Sequence, residues 1–256
     1  MMNTGRSCAV AAATLLAACA PHTFRADVGA AFARVEGQIG LQNSSGSLTL
    51  ADNMNDLQDH LGVGDQDESP YVRLEADWGP SRFKVSTFGH NSTGSGTLAG
   101  AFGDIPAGTQ VFTDFDFVDV TGSWSYDLMP TETFRIAPGV QLGYYSLDVI
   151  TRAPSLSAFE QVDTDIIAPM PYLDAEVDLG WLTIGANGGI IAVNLSDADG
   201  RYWDAEGYVR ANVLPHLELV GGVRYLLFDA HGEASNRDFD ADIDVFGWFI
   251  GGGVRF

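Results

Sequence analysis

The chain has almost no cysteine. Cys8 lies within an apolar leader and Cys19 at that leader's end, so the body of the protein keeps no thiol. Disulfides therefore cannot hold the fold, and a cysteine-based metal site is excluded. The five histidines are scattered without ligand spacing, so neither a metal nor a cofactor is expected. Cations are scarce too, with 13 Lys and Arg against 34 Asp and Glu. So acidic a surface repels a phosphate backbone, and nucleic acid is not an expected partner. Long apolar runs are also missing: past the leader, no stretch reaches the roughly 18 consecutive apolar residues that a spanning helix needs. There is no G-x-S-x-G nucleophile elbow and no phosphate-cradling glycine loop between a strand and a helix.

The one apolar run, Ser7 to Ala18, follows Arg6 and precedes Cys19. Charge, apolar stretch and small residues come in the order of a secretory signal. Two cleavage sites compete. Ala18-Cys19-Ala20 fits a small-x-small site, but it leaves Pro21 as first mature residue, which signal peptidase I tolerates poorly. Leu16-Ala17-Ala18-Cys19 resembles the bacterial lipobox, which implies acylation of Cys19 and cleavage just before it. The expected organisation is a lipoprotein-type signal over 1–18, a short tether over 19–25 and one folded body over 26–256.

That body alternates. In Tyr202 to Val213 one face carries Trp203, Ala205, Gly207, Val209, Ala211 and Val213, and the other Tyr202, Asp204, Glu206, Tyr208, Arg210 and Asn212. A period of two with unlike faces is a strand between two environments. Ten such segments are expected: 26–42, 70–78, 81–98, 111–127, 133–151, 164–179, 181–195, 202–213, 217–229 and 239–256. Long polar connections (43–69, 99–110, 152–163, 196–201, 230–238) interleave with very short ones (79–80, 128–132, 180, 214–216). An even strand count, dyad alternation, and long loops on one rim with short turns on the other predict an all-β, antiparallel up-and-down transmembrane barrel of about ten strands, in a range of eight to twelve.

Trp78, Phe83, Tyr126, Phe134 and Phe256 fall beside the short turns, as an aromatic belt at one membrane interface would. If apolar faces point to lipid, Arg34, Arg73, Arg82, Lys84, Arg135, Arg210, Arg224 and Arg255 face inward with Glu36, Glu75, Asp77, Asp174, Glu176, Asp178, Asp204, Glu206 and Glu218. Signs nearly cancel, which predicts a salt-bridged plug in a barrel only slightly wider than its own side chains fill. In the first strand this rule sends Ala31, Ala33, Val35, Ile39 and Leu41 outward. The acidic excess is then expected in the loops, chiefly Asp52, Asp56, Asp59, Asp65, Asp67 and Glu68, which follow no EF-hand spacing.

In layout the chain resembles the outer-membrane barrel proteins of Gram-negative bacteria, a resemblance that covers nearly all of the body but transfers no site residues. It implies the bacterial outer membrane as location, with lipid, lipopolysaccharide and the barrel-assembly machinery as partners. A ten-stranded barrel also resembles, in architecture only, the omptin proteases, whose site sets an Asp pair against an Asp/His pair across the extracellular mouth. Candidates for that chemistry are Asp114 and Asp116, with Asp229 and His231. Strand phase argues against them, because alternation carries all four to the outer side; a bulge between Phe117 and Val118 would reverse Asp114 and Asp116 alone. The leading expectation is thus a non-enzymatic envelope or surface barrel with a filled lumen; the alternatives are a narrow channel for small solutes and an omptin-like surface protease.

The closing WFIGGGVRF puts Trp248, Ile250, Gly252, Val254 and Phe256 on one face. A last strand that ends on an outward aromatic resembles the C-terminal signal read by the barrel-assembly machinery. The Gly251–Gly253 run reads as a bend or close backbone approach within that strand.

Overall fold

The computed structural model describes residues 23–46, 49–129, 131, 133–195, 198–234 and 237–256. Eleven antiparallel strands follow in order: β1 (Thr23–Leu41), β2 (Met54–Asp56), β3 (Asp67–Trp78), β4 (Ser81–Thr97), β5 (Gln110–Tyr126), β6 (Phe134–Ala153), β7 (Ala158–Asp178), β8 (Leu182–Leu195), β9 (Ala198–Leu214), β10 (Leu217–Ala234) and β11 (Arg237–Arg255). β11 pairs back onto β1 from Arg25↔Arg255 to Leu41↔Phe239, and β1 pairs on its other side with β3. A closed wall results, with every neighbour antiparallel and β2 set against the top of β1. The architecture is the expected one: the ten strands other than the three-residue β2 close the ring of ladders, and β2 caps the upper end of β1.

The short turns lie where alternation placed them. The upper rim differs. Instead of long connections at 152–163, 196–201 and 230–238, β6 continues to Ala153 and β7 begins at Ala158, and only two residues separate β8 from β9 and β10 from β11. β1 starts at Thr23, inside the stretch expected as tether, while the signal and Cys19 lie outside the described residues.

The reason is an inversion of polarity with no change of phase. Low on β1, Phe24, Ala26, Val28 and Ala30 point out while Arg25 and Asp27 point in. Higher up the same parity puts Ala31, Ala33 and Val35 inside, all fully buried, and leaves Arg34 and Glu36 outside with half-exposed side chains. β11 repeats this: Phe246, Trp248, Ile250 and Phe256 face out below, and Asp238, Asp240 and Asp242 face out above Ile243 and Val245, which are buried. Lipid bathes the lower half and water the upper half, so the apolar face changes sides where the wall leaves the bilayer. Arg34 and Glu36 are therefore not lumen charges. Asp178 is exposed at the lower end of β7, and Arg255 is only partly buried. Much of the acidic excess expected in loops sits instead on outward upper-strand positions such as Asp114, Asp148, Asp163 and Asp165.

The outward apolar band is edged below by Trp78, Phe83, Trp124, Tyr126, Phe134, Trp181 and Phe256, and above by Tyr144, Trp203, Tyr225, Phe246 and Trp248. Phe246 to Phe256 matches the roughly 9–11 residues with which a tilted strand crosses a bilayer.

Candidate functional site: a plugged lumen and its lid

The lower lumen is filled by a charge network in two groups, one around Arg210, Arg73, Arg82 and Arg135 and one around Arg224. Arg210 on β9 reaches Asp27 at 3.3 Å, Glu75 at 2.9 Å and Glu218 at 3.1 Å. Arg82 contacts Asp77 and Glu176, each at 2.6 Å. Arg224 contacts Asp119 at 2.6 Å and Asp204 at 2.8 Å, and Asp204 also accepts from Gln141 at 2.6 Å. Arg135 holds Asp174 at 2.7 Å, and Arg73 pairs with Glu206. A buried charge is tolerable only when partnered, and these partners come from strands all around the wall, so the network braces it from inside. A void of about 10 Å³ beside Lys84, Ser86, Thr121 and Asp204 leaves room for about one water. Arg25, Asp27 and Asp119, which are not among the charges expected inside, also belong to the network. Asp27 and Asp119 have the inward parity that would have found them, while Arg25 lay outside the expected first strand.

Above it the lumen is apolar. Phe117, Tyr145, Tyr202 and Phe228 pack ring on ring, with centroids 5.4–6.4 Å apart. Arg73 joins the layers, its guanidinium carbon 4.6 Å from the centre of the Tyr208 ring and 5.8 Å from that of Phe249.

The first two upper connections close the mouth. β3 and β4 pair only up to Val72↔Thr87, and segment 54–64 fills the wall above, through Val35 N donating to Gly64 O at 3.1 Å and Leu57 N to Gly37 O at 2.9 Å. Glycine is required at the junction, because a Cβ on Gly62 would meet the Ser95 carbonyl and one on Gly94 the Gly62 carbonyl. Leu57, Leu61 and Val63 from this segment are buried, as are Leu98, Phe102 and Ile105 from the second. Asn55 clamps the two together. Its amide nitrogen donates to Asn53 O at 3.0 Å and Ala101 O at 3.3 Å, and its oxygen accepts from Ala99 N at 3.0 Å and Gly100 N at 3.2 Å. Nothing in the sequence marked Asn55, since its role depends on where two loops meet.

The protease candidates lie elsewhere. Asp114 and Asp116 are on the outer face of β5, and Asp229 and His231 on the outer face of β10, diametrically across the wall by strand order. No bulge intervenes, since Phe115 and Phe117 both point in and are buried. Asp114 pairs with Arg152, and His231 lies 2.8 Å from Asp240 and 3.5 Å from Asp229. The packed lumen lies between the pairs, and among the described residues they share no cleft for a water and a peptide. Among the described residues no group of three His, Cys, Asp or Glu side chains is placed to hold a metal.

Two carboxylates outside the membrane band are perturbed. Burial, with the carboxylates of Asp229 and Asp244 beside it, pushes Asp242 above the usual range. Hydrogen bonds at 2.9 Å from the Ser44 amide and hydroxyl hold Asp104 below it.

No protein-family profile matches the chain, and no curated protein matches it by sequence. Solved structures do. The outer membrane protease OmpT from Escherichia coli superposes with TM-score 0.54 and 8% identity over 92% of this chain and 97% of that one. The fold is that of a bacterial outer-membrane β-barrel. The translocator domain of autotransporter NalP from Neisseria meningitidis (TM-score 0.41, 10% identity, 99% and 98% covered) and Ail of Yersinia pestis (TM-score 0.37, 10% identity, 91% and 98% covered) match more loosely.

Proposed function

We propose that this chain is an integral outer-membrane barrel that neither conducts nor catalyses through its lumen and acts through its surface, the acidic outer collar and the lidded mouth above the bilayer. One observation carries this: a charge network, an aromatic plug and a clamped lid lie in series along the barrel axis. Each layer alone would obstruct solute. A narrow channel would need a continuous wet path, and a protease a shared cleft for its acidic and histidine groups; the layered filling of the lumen among the described residues favours the closed reading over both. An apolar girdle about ten residues tall supports the outer-membrane location, with lipid and lipopolysaccharide as surroundings. Acylation of Cys19 and recognition of the terminal Trp248–Phe256 pattern by the assembly machinery complete the reading.

Reconstitution into liposomes tests it. Sugar and amino-acid flux at the level of protein-free vesicles is the expected result. Flux that grows with protein content would overturn the closed lumen, and dibasic-peptide cleavage lost in His231→Ala would overturn the non-enzymatic reading. Membrane fractionation tests location independently.

A further inference from the structure

The wall has two breaks in its ladders, and the protein treats them differently. Between β3 and β4 pairing stops at Val72↔Thr87, and segment 54–64 seals the opening. Between β7 and β8 pairing runs only from Asp178↔Thr183 to Tyr172↔Gly189, although both strands continue upward on their other sides, β7 against β6 to Ala153↔Ala158 and β8 against β9 to Leu195↔Ala198. No described segment fills this second opening.

The sequence enforces the break. Pro169 and Pro171 stand on β7 where the ladder fails, and the β6 ladder passes through both at Leu142↔Pro169 and Val140↔Pro171. A proline can sit in a ladder only with its nitrogen turned away from that partner, so the two missing donors fall on the β8 side. The opening starts within the apolar girdle on β7, at Pro171, and at the girdle's upper edge on β8, where Ile190 pairs with Trp203, and it continues above that edge along both strands. In lipid, backbone groups without ladder partners are costly unless something polar meets them.

Beside the opening lies a groove of about 760 Å³ on the outer face of β7 to β11. Small outward residues, Ala186, Ala205 and Gly207, make its floor, and Ile190, Trp203, Tyr225 and Phe246 its rim. At the break the buried Met170 lies beneath it, against Gly189. Arg201, more than half exposed and 3.5 Å from Asp229, projects outward two residues above Trp203.

We propose that this groove binds one lipid A molecule of the outer leaflet, with an acyl chain along the Ala186–Ala205–Gly207 floor, its ester or amide linkages against the unpaired edges of β7 and β8, and a phosphate at Arg201. The occupant follows from continuity: the groove is open along the girdle that already faces lipid, and its polar elements come at the groove's upper end, where an outer-leaflet headgroup lies. Because lipid tails are as apolar as the groove, shape and headgroup, not hydrophobicity, give the preference. The inference rests on the outer-membrane reading.

Native mass spectrometry of the full chain in detergent micelles, titrated with lipid A and separately with phosphatidylethanolamine, tests it. One lipid A retained per chain is expected. Filling the floor with Ala205→Trp, or with Gly207→Leu, where a Cβ meets only Val223 at 3.9 Å, is expected to weaken retention by about tenfold, roughly the effect of 1.4 kcal/mol. Arg201→Gln should weaken lipid A as well, while Val120→Phe, on the girdle's far side, should not. Heat-modifiable migration verifies that each variant is folded. Equal retention by the filled variants, equal binding of phosphatidylethanolamine, or a second copy of the chain in place of lipid would each overturn the proposal. Failed fractionation to the outer membrane would instead remove the reading beneath it, leaving the detergent result to be judged alone.

Discussion

Arg210 on β9 and Glu75 on β3 meet inside the barrel at 2.9 Å, from positions 135 residues apart in the chain. Both side chains are essentially inaccessible to solvent, and the same guanidinium serves Asp27 and Glu218. Arg210→Leu would strand Asp27 in a low-dielectric interior and leave Glu75 and Glu218 to the longer contacts of Arg25 and Arg73. Removing one partner of a buried pair costs about 3–5 kcal/mol. Urea unfolding in micelles should show a loss of that order, with Arg210→Lys less damaged. An unchanged midpoint would mean that the network does not brace the wall.

Asn55 joins the two mouth segments through four hydrogen bonds of one side chain. Asn55→Ala leaves the buried Asn53 and Ala101 carbonyls and the more accessible Ala99 and Gly100 amides without these partners, an unsatisfied group costing about 1–3 kcal/mol where water cannot reach it. Limited proteolysis within 98–109 should accelerate by at least about tenfold. Liposome flux should stay at background, because the aromatic plug and the charge network remain beneath. Flux that rises with lid opening would show that the lid, rather than the plug, closes the barrel.

The fold was legible because lipid outside and charge inside impose a strict alternation, which survives in Tyr202–Val213 and in the last strand. Alternation gives parity but not side. The premise that apolar residues always face lipid sends Arg34 and Glu36 inward, and it fails above the bilayer, where Ala33 and Val35 fill the lumen instead. The same inversion makes residues 158–163 and 230–234 look like loops, since their outward positions are polar apart from Phe159. Asn55 was invisible for a different reason: its partners are set by how two loops meet.

Phe24 and Phe256 exchange both backbone hydrogen bonds, at 3.0 and 2.9 Å, so the terminal residue is the last rung of the β1–β11 seam. Its side chain is nevertheless well exposed toward the lower interface. Deleting Phe256 removes that rung and the aromatic together. The expected result is a lower yield of membrane-inserted, heat-modifiable protein, and Phe256→Ala, which keeps the rung, separates the two contributions. Normal yield in Phe256→Ala with loss in the deletion would assign the effect to the seam rather than to recognition of the aromatic.

Asp242 stands directly across from Asp229 on the outer face above the girdle, with Asp240 and Asp244 on its own strand. Like charges opposite one another in a ladder are destabilising. Partial burial and these neighbours raise its pKa in the folded state, with Arg201 opposing them. A raised folded value means that the fold prefers the protonated form. The stability linked to this group is complete below the unfolded carboxylate range, near about pH 4, and is lost as pH rises through the folded value. Asp242→Asn should therefore be more stable than the parent at neutral pH, with the difference closing on acidification. Urea midpoints across that range test it. A variant less stable at neutral pH, or a gap that widens in acid, would mean that Asp242 is held there by an attraction that outweighs the repulsion of Asp229 and Asp244.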